Sequence, residues 1–303
     1  MSFKSTLKKA VSYCVKFDLI WKILNATFLQ LARFIEWEHH TQTVRLKGIP
    51  IEVEAIERFC PDFIVKRGPF AGLKYPSSTI TRGTFKDITY AEINPVCGNL
   101  FPKLIGSYES ELHTTISIIS DRSYSEIINV GCAEGYYAVG FTLKFPEARI
   151  YAYDVKQLAQ EHCLRLAQLN HCEQRIEISD FCSPETLLSI PISSRGLIIC
   201  DCEGYEAELF SDRVIAHLKK CDLLVELHDF IDLNISNKIK QQFADTHEIT
   251  IIKSIDDLEK ARTYSIAELK DYDLNDRREL LRENRTCIMD WIFLTPLNEE
   301  NSP

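Results

Sequence analysis

The chain has 303 residues, of which 45% are hydrophobic and 26% charged, a balance that supports a large buried core and excludes a disordered or fibrous class. Its formal net charge is −9 and its isoelectric point about 5.5, so the average field repels a phosphate backbone and nucleic acid is not an expected partner. Eleven cysteines are scattered without a CxxC pair or a Cys/His cluster of zinc spacing, which argues against a disulfide framework or structural zinc and for reduced thiols in the cytoplasm.

Residues 1–42 predict an N-terminal amphipathic helix. Phe17 to Trp37 are rich in Leu, Ile, Phe and Trp, but Asp18, Lys22, Arg33 and Glu36 interrupt them. The longest uncharged run, Ile23 to Ala32, is shorter than the roughly 20 residues a membrane span needs. Packing on the protein body is the expectation, with weak contact to a membrane surface as the lesser alternative. Residues 43–105 predict a small β-rich extension. TVRLKGIPIEVE (43–54) alternates like strands around Gly48 and Pro50, and FIVKRGPFAGLKYP (63–76) continues that style with turns at Gly68-Pro69 and Gly72.

From Gly106 the rhythm changes, and residues 106–298 predict the core domain. Short apolar runs at 126–131, 149–155, 175–179, 196–201, 222–229, 248–255 and 287–296 are seven candidate strands. Helical segments such as VKQLAQEHCLRLAQLN separate the first six, the pattern of a parallel sheet covered on both faces. The seventh follows a polar stretch and is expected to return antiparallel to the sixth. The fold class is therefore α/β: a doubly wound, mostly parallel seven-stranded sheet with an N-terminal helical and β extension. Such sheets bind ligands beyond the carboxyl ends of their strands.

Candidate chemistry collects at those ends. The first strand runs into Gly131-Cys132-Ala133-Glu134-Gly135, with Gly140 in the following helix. The glycines allow a tight turn and close approach of a ligand, and the helix N-terminus favours an anionic group. The spacing is GxxxGxxxxG rather than the GxGxxG of dinucleotide folds. Asp154 ends the second strand, where a carboxylate can accept both hydroxyls of an adenosine ribose. Asp180 and Phe181 follow the third, suited to an adenine amino group and its ring. Asp201 and Glu203 follow the fourth, and His228 and Asp229 the fifth. An imidazole at that rim, with an ordinary pKa of about 6.5, suits removal of a proton near neutrality.

Three stretches, NVGCAEGYYAVG, LIICDCEGYEAELF and LLVELHD, resemble the signature segments of the FkbM-type class I methyltransferases, and NRTCIMDWIFLTP resembles their C-terminal strand. The resemblance covers roughly residues 105–296. GPFAGLKYP and PKLIGSYESEL are similar to the N-terminal flank of a bacterial branch of that group. The resemblance implies S-adenosylmethionine as cofactor and a hydroxyl on a sugar, glycan or secondary metabolite as methyl acceptor. On that reading Gly131, Cys132, Glu134, Gly135, Asp154, Asp180, Phe181 and Asp201 bind the cofactor. His228 is the base, with Asp201 and Glu203 orienting the acceptor or the imidazole. Asn129 stands where many class I enzymes carry an acid, leaving Glu134 or Glu109 to face the cofactor's ammonium. No dedicated metal site is expected; Asp201, Glu203 and Asp229 around Mg²⁺ form the less favoured rival. Two other classes remain as alternatives, a cofactor-binding but catalytically silent interaction protein and a nicotinamide-dependent oxidoreductase.

Overall fold

The structure, a computed structural model, describes residues 51–79, 89–91, 99–285 and 287–297. The expected N-terminal amphipathic helix and residues 43–50 of the expected strand pair lie outside them. The chain divides into a unit ending at Glu54 and a second unit from Ala55 onward. Of the first unit only Ile51–Glu54 is described. These residues open a helix, α1 (Ile51–Phe59), so the alternation IEVE that reads as strand is its first turn. Among the described residues, no helix is long and apolar enough to cross a membrane.

In the second unit the 63–76 segment is mostly turn, pinched by one antiparallel bridge between Ile64 and Lys74. Two short strands, β1 (Ser77–Thr79) and β2 (Thr89–Ala91), pair antiparallel. The core then alternates strand and helix: α2 (Leu100–Ile105), α3 (His113–Ser120), β3 (Glu126–Val130), α4 (Tyr136–Lys144), β4 (Arg149–Tyr153), α5 (Gln157–Leu169), β5 (Ile176–Ser179), α6 (Pro184–Ser189), β6 (Gly196–Cys200), α7 (Glu206–Leu209), α8 (Asp212–His217), β7 (Asp222–Leu227), α9 (Ile235–Phe243), β8 (His247–Ile252), α10 (Asp257–Thr263), α11 (Leu274–Leu281) and β9 (Asp290–Pro296).

The seven core strands lie in the order β5-β4-β3-β6-β7-β9-β8. β3 to β7 are parallel, and β9 is antiparallel to both β7 and β8. The last strand thus returns antiparallel, as its polar lead-in suggests, and it also inserts between the fifth and sixth. Every residue of β3, β6 and β7 is buried, which is why these runs are mostly apolar, with helices covering both faces; the exceptions Glu126, Asn129, Asp222 and Glu226 are buried as well. On one face Ile128, Val130, Ile198, Cys200, Leu223 and Val225 meet Leu209, Val214, Ile239 and Phe243 from the helices. The other face receives α4. There the ring of Phe70 sits over Gly140, where a Cβ would come 2.6 Å from the ring. The third glycine of the GxxxGxxxxG spacing therefore makes room for the 63–76 segment and not for a ligand.

Candidate functional site

β3 has β4 on one side and β6 on the other, so the chain's crossovers part in opposite directions there and leave a crevice beyond the strand ends. Gly131 lies at the exit of β3 and lines this crevice. Its φ is +79°, and a Cβ would lie 1.6 Å from the Asp201 carbonyl oxygen as the chain leaves β6. Only glycine meets both demands. The loop then turns through Ala133, left-handed at φ +47°, whose N–H donates to Asp154 Oδ2 at 2.9 Å. Asp154 Oδ1 accepts from the Lys156 N–H at 2.9 Å. One carboxylate thereby fixes the exits of β3 and β4 together.

A cavity of about 450 Å³ opens over these loops, lined by Gly131, Asp154, Asp180, Phe181, Asp201 and Glu203 among others. Phe181 is 47% exposed and packs against Tyr205, with ring centroids 5.2 Å apart. Asp180 Oδ1 accepts from the Phe181 N–H at 2.7 Å. Ala133, Lys156, Cys182 and Tyr205 are among the other lining residues, none of them singled out in the sequence.

Three of the expected cofactor ligands lie elsewhere. Glu134 is fully buried and forms an ion pair with the equally buried Lys103, whose Nζ stands 4.6 Å from the Tyr108 ring centre. Cys132 is buried, and hydrogen bonding to Cys163 together with burial pushes its thiol well above the ordinary value. Gly135, φ +96°, opens α4 beside Cys163, whose Sγ would be 2.8 Å from a Cβ. None of the three lines the cavity. The left-handed turn at Ala133 redirects the chain after Cys132, and no residue type in the sequence announces it. Glu109 is also committed: its carboxylate accepts from Arg285 at 2.9 Å and from the Tyr137 hydroxyl.

At one end of the cavity, Asp201 and Glu203 meet His228. The imidazole is only 1% exposed. Its Nδ1 lies 2.5 Å from Glu206 Oε1. Its Nε2 faces Asp201 Oδ1 at 3.4 Å, Glu226 Oε2 at 3.5 Å and Glu203 Oε2 at 3.8 Å. Burial alone would favour the neutral ring, but the Asp201 and Glu206 carboxylates outweigh it and push the pKa up to about 11. Such a ring holds its proton at neutral pH, which departs from the free base expected of it. Burial likewise disfavours charge on Asp201, yet His228 beside it holds the carboxyl below its usual range. Glu226 goes the other way, raised well above the carboxylate range by burial and by Asp201, although Arg285 donates to its Oε1 at 2.7 Å. Asp229, the other acid considered at this rim, is turned to α9: Oδ1 accepts from the Ser236 N–H at 2.8 Å and Oδ2 from its hydroxyl.

Glu206 and Glu226 were missed as site residues, though both signals were present. Glu226 is two positions before His228, and residues i and i+2 of a strand share a face. Glu206 closes the DCEGYE segment, where it opens α7.

No family model matches the chain, and no curated protein matches its sequence. Solved structures do align with it. The O-methyltransferase TomG from Streptomyces achromogenes, in complex with SAM, is 10% identical, with 64% of this chain and 83% of that chain covered and a TM-score of 0.41. The precorrin-6y C5,15-methyltransferase from Geobacter metallireducens is 10% identical over 60% of this chain and 87% of that one, with a TM-score of 0.42. The geranyl diphosphate C-methyltransferase from Streptomyces coelicolor is 10% identical over 62% and 80%, with a TM-score of 0.36.

Proposed function

We propose that this chain is an S-adenosylmethionine-dependent methyltransferase whose acceptor is a hydroxyl on a sugar, glycan or secondary metabolite. The observation that carries this reading is the cavity at the β3/β6 switch point, which brings Gly131, Asp154, Asp180 and Phe181 from three consecutive strand ends to one wall. Its volume, about 450 Å³, falls in the range of small-molecule sites.

The donor set fits the cofactor. Each Asp154 oxygen accepts one backbone N–H, and a carboxylate oxygen has a second lone pair for a ribose hydroxyl. Phe181 and Tyr205 supply an aromatic wall for a base, and Asp180 an acceptor for an exocyclic amine. Gly131 lets a ligand approach the backbone. When bound, the cofactor supplies an activated methyl group on a sulfonium.

The chain's own contribution is then alignment, exclusion of water and management of the acceptor's proton. Asp201 and Glu203 line the cavity and lie beside His228, which supports assigning the acceptor's hydroxyl to that side. His228, fixed by Glu206, acts on these two carboxylates.

Calorimetry with S-adenosylmethionine and S-adenosylhomocysteine on the full chain tests the cofactor. Transfer of labelled methyl to a panel of sugars and hydroxylated metabolites tests the acceptor. Binding is expected for both cofactor forms, with label on oxygen. Tight NAD binding without response to S-adenosylmethionine overturns the reading. Cofactor binding without transfer to any hydroxylated acceptor supports a silent binding protein instead.

A further inference from the structure

Carboxylates gather around His228 beside the cavity, two of them from residues that line it. Four carboxylates, from Asp201, Glu203, Glu206 and Glu226, lie within 4 Å of the two nitrogens of a single imidazole. Arg285 stands against Glu226 only, among these four. An imidazole ringed by carboxylates in this way offers a mixed nitrogen and oxygen donor set for a cation.

We propose that Asp201, Glu203 and His228 bind a divalent first-row transition-metal ion at the acceptor end of the cavity. The proposal rests on the methyltransferase reading only for the ion's role, not for its binding. One carboxylate oxygen from each acid and one His228 ring nitrogen lie within 4.8 Å of one another. Bonds of about 2.0–2.2 Å around a common centre set ligand atoms roughly 3–4.4 Å apart. The remaining closure falls to Glu203, which is 68% exposed and has room to swing inward.

Two independent features point to a ligand among these groups. Glu206, 0% exposed, takes Nδ1 of His228 at 2.5 Å, the carboxylate–histidine arrangement that fixes a metal-binding imidazole with its other nitrogen outward. That other nitrogen, Nε2, faces three carboxylates at 3.4, 3.5 and 3.8 Å. All three are beyond the 2.7–3.2 Å of a normal hydrogen bond. In addition, the second oxygen of Glu206 is buried with no hydrogen-bond partner among the described residues. A mixed imidazole and carboxylate set suits Mn²⁺, Fe²⁺, Co²⁺ or Zn²⁺ better than Mg²⁺, which favours all-oxygen ligands. Three protein ligands leave coordination positions open, and Asp201 and Glu203 both line the cavity, so an acceptor's oxygen atoms can complete the shell. The ion would displace the ring proton and lower the pKa of an acceptor hydroxyl.

The test is Mn²⁺ binding to the EDTA-stripped full chain, read from loss of the free-ion electron paramagnetic resonance signal. One ion per chain is expected in the wild type. Affinity should fall by about tenfold or more in Glu203→Gln, whose exposed side chain leaves the fold intact, and in Asp201→Asn and His228→Gln shown folded by circular dichroism. No binding to wild type up to about 1 mM, the weak end of specific affinity, overturns the proposal. So does equal binding by wild type and all three variants. Calorimetry with S-adenosylmethionine in parallel separates the two readings. Cofactor binding without Mn²⁺ binding removes the metal alone, and Mn²⁺ binding without cofactor binding removes the methyltransferase reading alone.

Discussion

Asp154 does two jobs with one carboxylate: it accepts backbone amides from the exits of both β3 and β4 and faces the cavity. Asp154→Ala is therefore expected to weaken S-adenosylmethionine binding by about tenfold to a hundredfold, the equivalent of roughly 1.5–3 kcal/mol for hydrogen bonds to a charged group. Calorimetry on the folded variant checks this, and an unchanged dissociation constant would remove Asp154 from the site. Gly131 offers a sharper contrast. A methyl group there meets the Asp201 carbonyl at 1.6 Å on a backbone at φ +79°, so Gly131→Ala must displace Asp201 or fail to fold. The expected outcome is a drop in melting temperature together with loss of cofactor binding. A stable Gly131→Ala protein with wild-type affinity would show that the β3 and β6 exits do not pack as described. Gly131, Asp154, Asp180, Phe181 and Asp201 were legible in the sequence because position at a strand end is enough to place a side chain at the rim. Cys132, Glu134 and Gly135 do not line the cavity, and the left-handed residue after Cys132, Ala133, carries no compositional mark. Arg285 was illegible for another reason: it meets Glu109 and Glu226 across 176 and 59 residues of chain, and nothing local links them.

At the scale of elements, the strand runs were readable because burial on both faces favours mostly apolar sequence, and β3, β6 and β7 show that burial along their whole length. The insertion of β9 was only half readable, since its antiparallel return follows from the lead-in while its place beside β7 depends on distant partners. At the rim opposite the site, a polar knot fixes three neighbouring strands. Asp222, fully buried at the start of β7, accepts from Arg195 Nε at 2.9 Å and Nη2 at 2.7 Å, just before β6. It also accepts from the Tyr124 hydroxyl at 2.5 Å, just before β3. Removing one partner of a buried, hydrogen-bonded ion pair typically costs about 3–5 kcal/mol. Asp222→Ala is expected to lower unfolding stability by that order in denaturant titrations. The folded fraction should keep wild-type cofactor affinity, because the knot lies at the other end of the strands. A loss below ~1 kcal/mol, the scale of an exposed pair, would show that the knot is not the fastening described.

For the molecule as a whole, two buried histidines remote from the cavity, His247 and His113, contribute to how stability responds to acid. His247, 2% exposed at the start of β8, lies 3.1 Å through Nε2 from the Cys221 carbonyl and 2.8 Å through Nδ1 from the Thr246 hydroxyl. Its ring is packed edge-on to Phe243, with centroids 5.1 Å apart. Burial lowers its pKa, against smaller opposing effects of the Cys221 carbonyl and Asp222. His113, beside the Tyr108 carbonyl at 3.3 Å, is lowered by burial in the same way. A histidine depressed in the folded chain is neutral there while its unfolded counterpart, with a pKa near 6.5, takes up a proton. The unfolded state then binds more protons, so stability is present above about 6.5 and is lost as pH falls toward the folded value. Each such group contributes a slope of at most ~1.4 kcal/mol per pH unit. Raised buried carboxyls such as Glu109 and Glu226 act in the opposite sense over this range, so the contribution of His247 is read from the difference between wild type and variant in chemical denaturation across it. In His247→Asn the dependence of stability on pH should be less positive by up to that amount, even though the variant starts less stable for want of the Cys221 contact. If the variant and wild type respond to pH in parallel, His247 does not enter the folded chain neutral.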